Sequence, residues 1–116
     1  YTDSTLAYQG YGRGLNLDWL AALQEKATGG LRPHRTFLVD VDLETSRARG
    51  GLRGADRLET GSEALYKRIR NGYFVLAQQE PDRLIRVDGT LPIEGLSDRI
   101  YGLVAEVIEG LGTNPI

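Results

Sequence analysis

Two short apolar runs, Thr36 to Val41 (TFLVDV) and Leu84 to Val87 (LIRV), read as strands, and segments of helical period stand around them. Apolar residues follow one another directly in these runs instead of alternating with polar ones, which suits a parallel sheet covered on both faces. Before the first run, Leu17, Leu20, Leu23 and Ala27 recur at three- and four-residue intervals, and Gly29, Gly30 and Pro33 end that helix. A short helix is expected from Leu43 to Arg49. Thr60 and Glu63 have capping-box spacing, and Leu65, Ile69, Tyr73 and Leu76 then repeat at helical intervals as far as Gln79, before Pro81. After the second run, Asp88-Gly89-Thr90 forms a turn, and Pro92 suits the first turn of a last helix. Its stripe is Leu96, Ile100, Leu103, Val104, Val107, Ile108 and Leu111. The tail, Gly112 to Pro115, is expected to fray.

Strands alternating with helices specify an α/β layer with a parallel sheet. Two strands fall short of the usual four to six or so, and alone they leave both edges open. Further strands are therefore expected beside them, either before Tyr1 in the native protein or from another chain. The abrupt start, without a methionine or a cap, favours the first.

Composition narrows the function. The net charge of −2 argues against a general nucleic-acid binder. With no cysteine and a single histidine, His34, there is neither a disulfide framework nor material for a His/Cys zinc site. No apolar run approaches the roughly 20 residues that span a bilayer. The opening YTDSTLAYQG lacks the basic start and apolar core of a signal peptide. A cytoplasmic protein without membrane or nucleic-acid partners is the simplest expectation.

Arg47, Arg49, Arg53 and Arg57 crowd the glycine-rich run RARGGLRGADR. Such a run is either a solvated charged loop or a lid that clamps phosphate, since the planar guanidinium fork matches phosphate oxygens. Ser4 to Gln9 has room for one or two helical turns, which would place Thr5 and Gln9 on one face. His34 reads as an exposed loop residue and Trp19 as packing.

Along nearly its whole length the chain resembles the thymidylate kinase family. YTDSTLAYQGYGRG is similar to the stretch that follows the family's Asp-Arg motif, Tyr1 standing as the motif's third residue. FLVDVDLET, RARGGLRGADRLE and RIRNGYFVLAQQEPDRLIRVDGTLPIE resemble, in order, the family's strand and turn, its arginine-bearing lid, and its last helix-strand-turn unit. The runs AYQGYGRG and ADRLE at this spacing are specific together.

The resemblance implies a phosphate-loop (P-loop) NTPase-like parallel sheet with helices on both faces, of which this chain carries the last two strands. Residues 1–116 are then part of one nucleoside-monophosphate-kinase domain, with a lid at about 47–59. The implied reaction moves the γ-phosphoryl group of ATP onto dTMP, giving dTDP and ADP. Mg²⁺ is implied as cofactor, held mainly by nucleotide phosphates, and a homodimer is usual. By the same resemblance Tyr1 belongs to the dTMP site, Thr5 and Gln9 hydrogen-bond the thymine edge, and Tyr8 packs on the deoxyribose. Arg53 reaches the transferring phosphoryl group, and Arg49 flanks the adenine or its phosphates. Arg57 either binds phosphate or pairs with Asp56 or Glu59. Thr90 and Leu91, by their place just past the last strand, either border the adenine or belong to an ordinary helix start. Arg47 departs from the pattern and reads as a surface charge.

The Gly-x-x-x-x-Gly-Lys-Ser/Thr loop that cradles ATP phosphates does not occur, and the GYGRG run cannot replace it. The arginine that grips the dTMP phosphate and the aromatic segment that stacks on thymine are also missing. The chain alone is expected to be inactive, as a fragment of a longer enzyme. The competing readings are another nucleoside monophosphate kinase, or a non-catalytic nucleotide- or partner-binding domain.

Overall fold

The structure, a computed structural model, describes residues 2–49 and 62–112. The chain begins helically. Helix α1 (Thr2–Thr5) runs straight into a π-helix, Leu6–Gly12, so the helical path is longer than the sequence suggests and its second part is widened. Ala7, fully buried, anchors this segment against Leu76 and Leu84. Helix α2 (Leu17–Thr28) starts at Asn16, whose side chain accepts the Trp19 N–H at 2.8 Å, and it stops where Gly29 turns left-handed.

The buried line of α2 is Leu20 and Gln24. Leu23 and Trp19 lie largely open, Trp19 being 58% exposed, so the expectation that Trp19 serves as packing is corrected. The cause is that α2 packs on the π-helix alone among its closely contacting elements, and one narrow line covers that contact.

Strand β1 (Thr36–Asp40) pairs in parallel with β2 (Leu84–Asp88), in register from Thr36–Leu84 to Asp40–Asp88. Between them lie α3 (Leu43–Ala48) and α4 (Ser62–Gln79), and α5 (Ile93–Gly112) follows β2. Asp42 caps α3 by accepting the Thr45 N–H at 2.6 Å. Thr60, the expected cap of α4, lies outside the described residues. So the strands are parallel, as the apolar runs imply. The core forms where the π-helix, α4 and the sheet meet: Leu6, Tyr11, Leu38, Ile69, Tyr73 and Ala77 pack around Ala7, Leu76 and Leu84. Helix α5 packs mainly on β2, and Ile108 and Leu111 of its stripe remain exposed.

The start of the sheet is closed by Arg83. Its guanidinium donates to both oxygens of Asp3, at 2.9 and 2.8 Å, to Glu80 Oε2 at 2.9 Å and to Thr36 Oγ1 at 3.1 Å. One side chain thus joins α1, β1 and the turn after α4. Arg32 also donates to Glu80 Oε2, at 2.7 Å.

The π-helix lies against α4 so closely that a Cβ on Gly72 would stand 2.6 Å from Tyr11 Cβ. A methyl there has no free space, and the two helices must separate to admit it. Helix propensity returns up to about 1 kcal/mol for glycine to alanine, against about 1–3 kcal/mol for overpacking. Gly72→Ala is therefore expected to destabilise the fold, read as a lower urea midpoint at unchanged slope.

Candidate functional site

Ligands of open α/β sheets bind beyond the carboxyl ends of the strands, and here those ends hold a dense set of polar groups. Asp40, the last residue of β1, is buried. Arg70 meets its carboxylate with two bonds, Nε to Oδ1 at 2.8 Å and Nη2 to Oδ2 at 2.9 Å, and Arg86 Nη2 adds a third at 2.9 Å. Both guanidiniums lie over the Phe74 ring, 4.9 Å (Arg70) and 4.3 Å (Arg86) from its centre, a cation–π pair of contacts. Tyr66, Arg70 and Phe74 follow at i, i+4 and i+8, so one stripe of α4 supplies this side, and the Tyr66 hydroxyl donates to the Val41 carbonyl at 2.8 Å.

The turn after β2 is set by Asp88, which accepts the Thr90 N–H at 2.9 Å and the Thr90 hydroxyl at 2.5 Å. Arg49, just past α3, donates to the carbonyls of Gly89 and, at 3.1 Å, of Thr90. The structure therefore brings together three sequence-predicted residues, Arg49, Thr90 and Leu91, at the end of β2. In this arrangement the Arg49 guanidinium holds the backbone of the turn.

A second stripe of α4 faces the segment with the other candidates. Arg68 Nε donates to the Gly12 carbonyl at 3.0 Å, and the Tyr73 hydroxyl donates to Ser4 Oγ at 2.8 Å. The π-helix thus runs antiparallel to α4 and points its Gly12 end toward the strand-end side, where Tyr66 and Asp40 lie. Thr5 and Gln9 are half-buried on this segment and Tyr8 is exposed. Gly12 packs beneath Ile69, where an added Cβ would stand 2.9 Å from a side-chain carbon, so its smallness is used in helix packing. Tyr1, Arg53 and Arg57 lie outside the described residues. Arg47 pairs at 3.7 Å with Glu63 on the surface, and His34 is exposed, both as expected.

Mg²⁺ needs near-octahedral oxygen ligands. Among the described residues no three acidic or histidine side chains gather to hold a metal. The carboxylates at the strand ends, Asp40, Asp42 and Asp88, each already accept hydrogen bonds within the chain.

The Arg70 hydrogen bonds hold the Asp40 carboxyl below its ordinary value of 3.8, and Arg83 holds Glu80 below 4.5. A carboxylate whose folded pKa is depressed stabilises the fold above its unfolded pKa and loses that contribution as pH falls through the folded one. The urea midpoint is therefore expected to hold steady from about pH 7 to about 6 and to drop below about pH 4, and Asp40→Asn should flatten part of that drop.

Sequence reasoning missed Asp40, Tyr66, Arg68, Arg70, Phe74 and Arg86. A partial signal existed: Asp40 interrupts an apolar run, and Tyr66, Arg70 and Phe74 share helical spacing on one face.

Comparison with known proteins gives these positions a family. The thymidylate kinase family profile matches residues 1–100. A thymidylate kinase of Dehalococcoides mccartyi is 43% identical over 100 residues, covering 86% of this chain and 48% of the relative. One from Nostoc punctiforme is 42% identical over 113 residues, covering 96% and 54%. One from Thermomicrobium roseum is 44% identical over 111 residues, covering 94% and 53%. The chain spans about half the length of these curated relatives. With its parallel β1–β2 pair and the helices packed on it, this α/β chain belongs to the thymidylate kinase family.

Proposed function

We propose that the protein carrying this chain transfers the γ-phosphoryl group of ATP to dTMP, giving dTDP and ADP for dTTP synthesis. The observation that carries the reading is the family match running from residue 1 to residue 100. The geometry supports it from two sides. The helical segment Thr2–Gly12 presents Tyr8 to solvent beside Thr5 and Gln9, as an acceptor-nucleotide site requires. The strand-end group of Arg49, Thr90 and Leu91 stands where an α/β sheet receives a nucleotide.

In this reading Tyr1, Thr5, Tyr8 and Gln9 bind dTMP. Arg49, Arg57, Thr90 and Leu91 border ATP, and Arg53 stabilises the transferring phosphoryl group. The ATP phosphates are held by a segment outside these 116 residues, and Mg²⁺ travels with those phosphates. The reading includes a cytoplasmic homodimer with no nucleic-acid or membrane partner. The net charge of −2 supports the former absence, and no helix among the described residues is long and apolar enough to cross a membrane.

The test is an acceptor panel on the intact gene product that contains this chain, with ATP as donor and dTMP, AMP and GMP as acceptors. dTMP is expected to give the highest kcat/KM. Preference for AMP or GMP, or no transfer to dTMP, sinks the proposal.

A further inference from the structure

Tyr8 is 47% exposed, and the rest of its environment includes a second tyrosine. The Tyr73 ring meets it edge to face, with centroids 6.4 Å apart and planes at 84°. Tyr73 is itself fixed at both ends. Its ring packs on the core of Ala7, Leu76 and Leu84, and its hydroxyl donates to Ser4 Oγ at 2.8 Å. Ser4 lies one turn before Tyr8, so both partners of Tyr73 belong to the segment that also carries Thr5 and Gln9. Burial pushes the Tyr73 hydroxyl above its ordinary value of 10.0, which keeps it a donor at working pH. The π-helix adds a reason why this support matters. A π-helical segment is uncommon and often marks a functional position, and α4 braces it in the turn before Tyr73, through Gly72 beneath Tyr11 and Arg68 on the Gly12 carbonyl.

We propose that Tyr73 is a positioning residue for acceptor-sugar selection: it fixes the Tyr8 ring and so sets how strongly the site prefers a 2′-deoxyribose to a ribose. The inference rests on the reading of Tyr8 as the residue packed on the sugar. A held ring leaves no space for an added hydroxyl, whereas a ring free to change rotamer moves aside. Tyr73 itself touches no substrate in this scheme.

The experiment compares kcat/KM for dTMP and for ribothymidine 5′-monophosphate in the intact enzyme. Tyr73→Leu is expected to lower the deoxy-over-ribo ratio by about 3–10-fold, the worth of one aromatic pair. Tyr8→Leu should lower it at least as far, and the double variant should fall no further than Tyr8→Leu, because Tyr73 acts through Tyr8. If Tyr73 only packs, Tyr73→Leu depresses both substrates alike and the ratio stays, which overturns the inference while a shifted ratio in Tyr8→Leu leaves the proposed site standing. An unshifted ratio in Tyr8→Leu removes the reading of Tyr8 and this inference with it. Should Tyr73→Leu fail to fold, Tyr73→Phe and Ser4→Ala decide. Each keeps both rings and removes only the hydroxyl bond, and each is expected to lower the ratio about 2-fold, roughly the worth of one modest hydrogen bond. An unchanged ratio in both overturns the inference.

Discussion

Replacing Arg53 by alanine in the intact enzyme is expected to lower turnover by about 10³–10⁵-fold, the range of an arginine that stabilises a transferring phosphoryl group. Affinity for dTMP should change little, because such an arginine acts on charge that develops only in the transition state. Phosphoryl transfer asks the protein for positioning and charge neutralisation, and no cysteine or Ser-His-Asp arrangement is needed. In sequence Arg53 is followed by Gly54, and Arg49, four residues earlier, is placed beside Gly89 and Thr90 at the strand ends. Steady-state kcat and an independent equilibrium Kd for dTMP separate the two effects. Arg53→Lys should recover little, since a point charge does not reproduce the planar fork. Equal losses in kcat and in dTMP affinity contradict the assignment.

The second large effect is on stability. Arg83→Met should cost the fold about 3–5 kcal/mol, the loss seen when one partner of a buried ion pair is removed. The magnitude follows from burial: the side chains of Arg83 and Asp3 are only 11% and 9% exposed. Without Arg83 the Asp3 carboxylate stays in place with its bidentate partner gone, and Glu80 loses one of its two arginines. Adding Asp3→Asn removes the orphaned charge, so the double variant is expected to be more stable than the sum of the singles predicts. Urea unfolding of the four proteins measures the coupling. A loss under about 1 kcal/mol places the pair with exposed salt bridges instead.

These two residues show what kind of information the chain carries on its surface and what kind it does not. Arg53 is conspicuous in one dimension, because it is one of four arginines crowded into a glycine-rich run without apolar period, which reads as a charged loop or a phosphate lid. Arg83 is not. It sits in an unremarked turn, and its partner Asp3 lies 80 residues away. Asp40 is similar: its partners Arg70 and Arg86 come from α4 and β2, and only the folded sheet makes a shared site of them. Trp19 errs in the other direction. A large aromatic on an amphipathic helix suggests packing, yet α2 meets the π-helix along the line of Leu17, Leu20 and Gln24, and Trp19 lies off it.

The sequence by itself determined the helices α2, α4 and α5, both strands to within one residue, their parallel pairing and the family. Those are set by local period, caps, breakers and contiguous motif, all of which act over a few residues. Only the tertiary structure decided that the opening segment widens into a π-helix, that Tyr8 leans on Tyr73, and that Arg49 holds the backbone of the turn after β2. The physical reason is that each of these depends on which surfaces meet. The close approach of Tyr11 over Gly72 and the hydroxyl bond from Tyr73 to Ser4 are properties of two helices packed together, and neither helix specifies them alone.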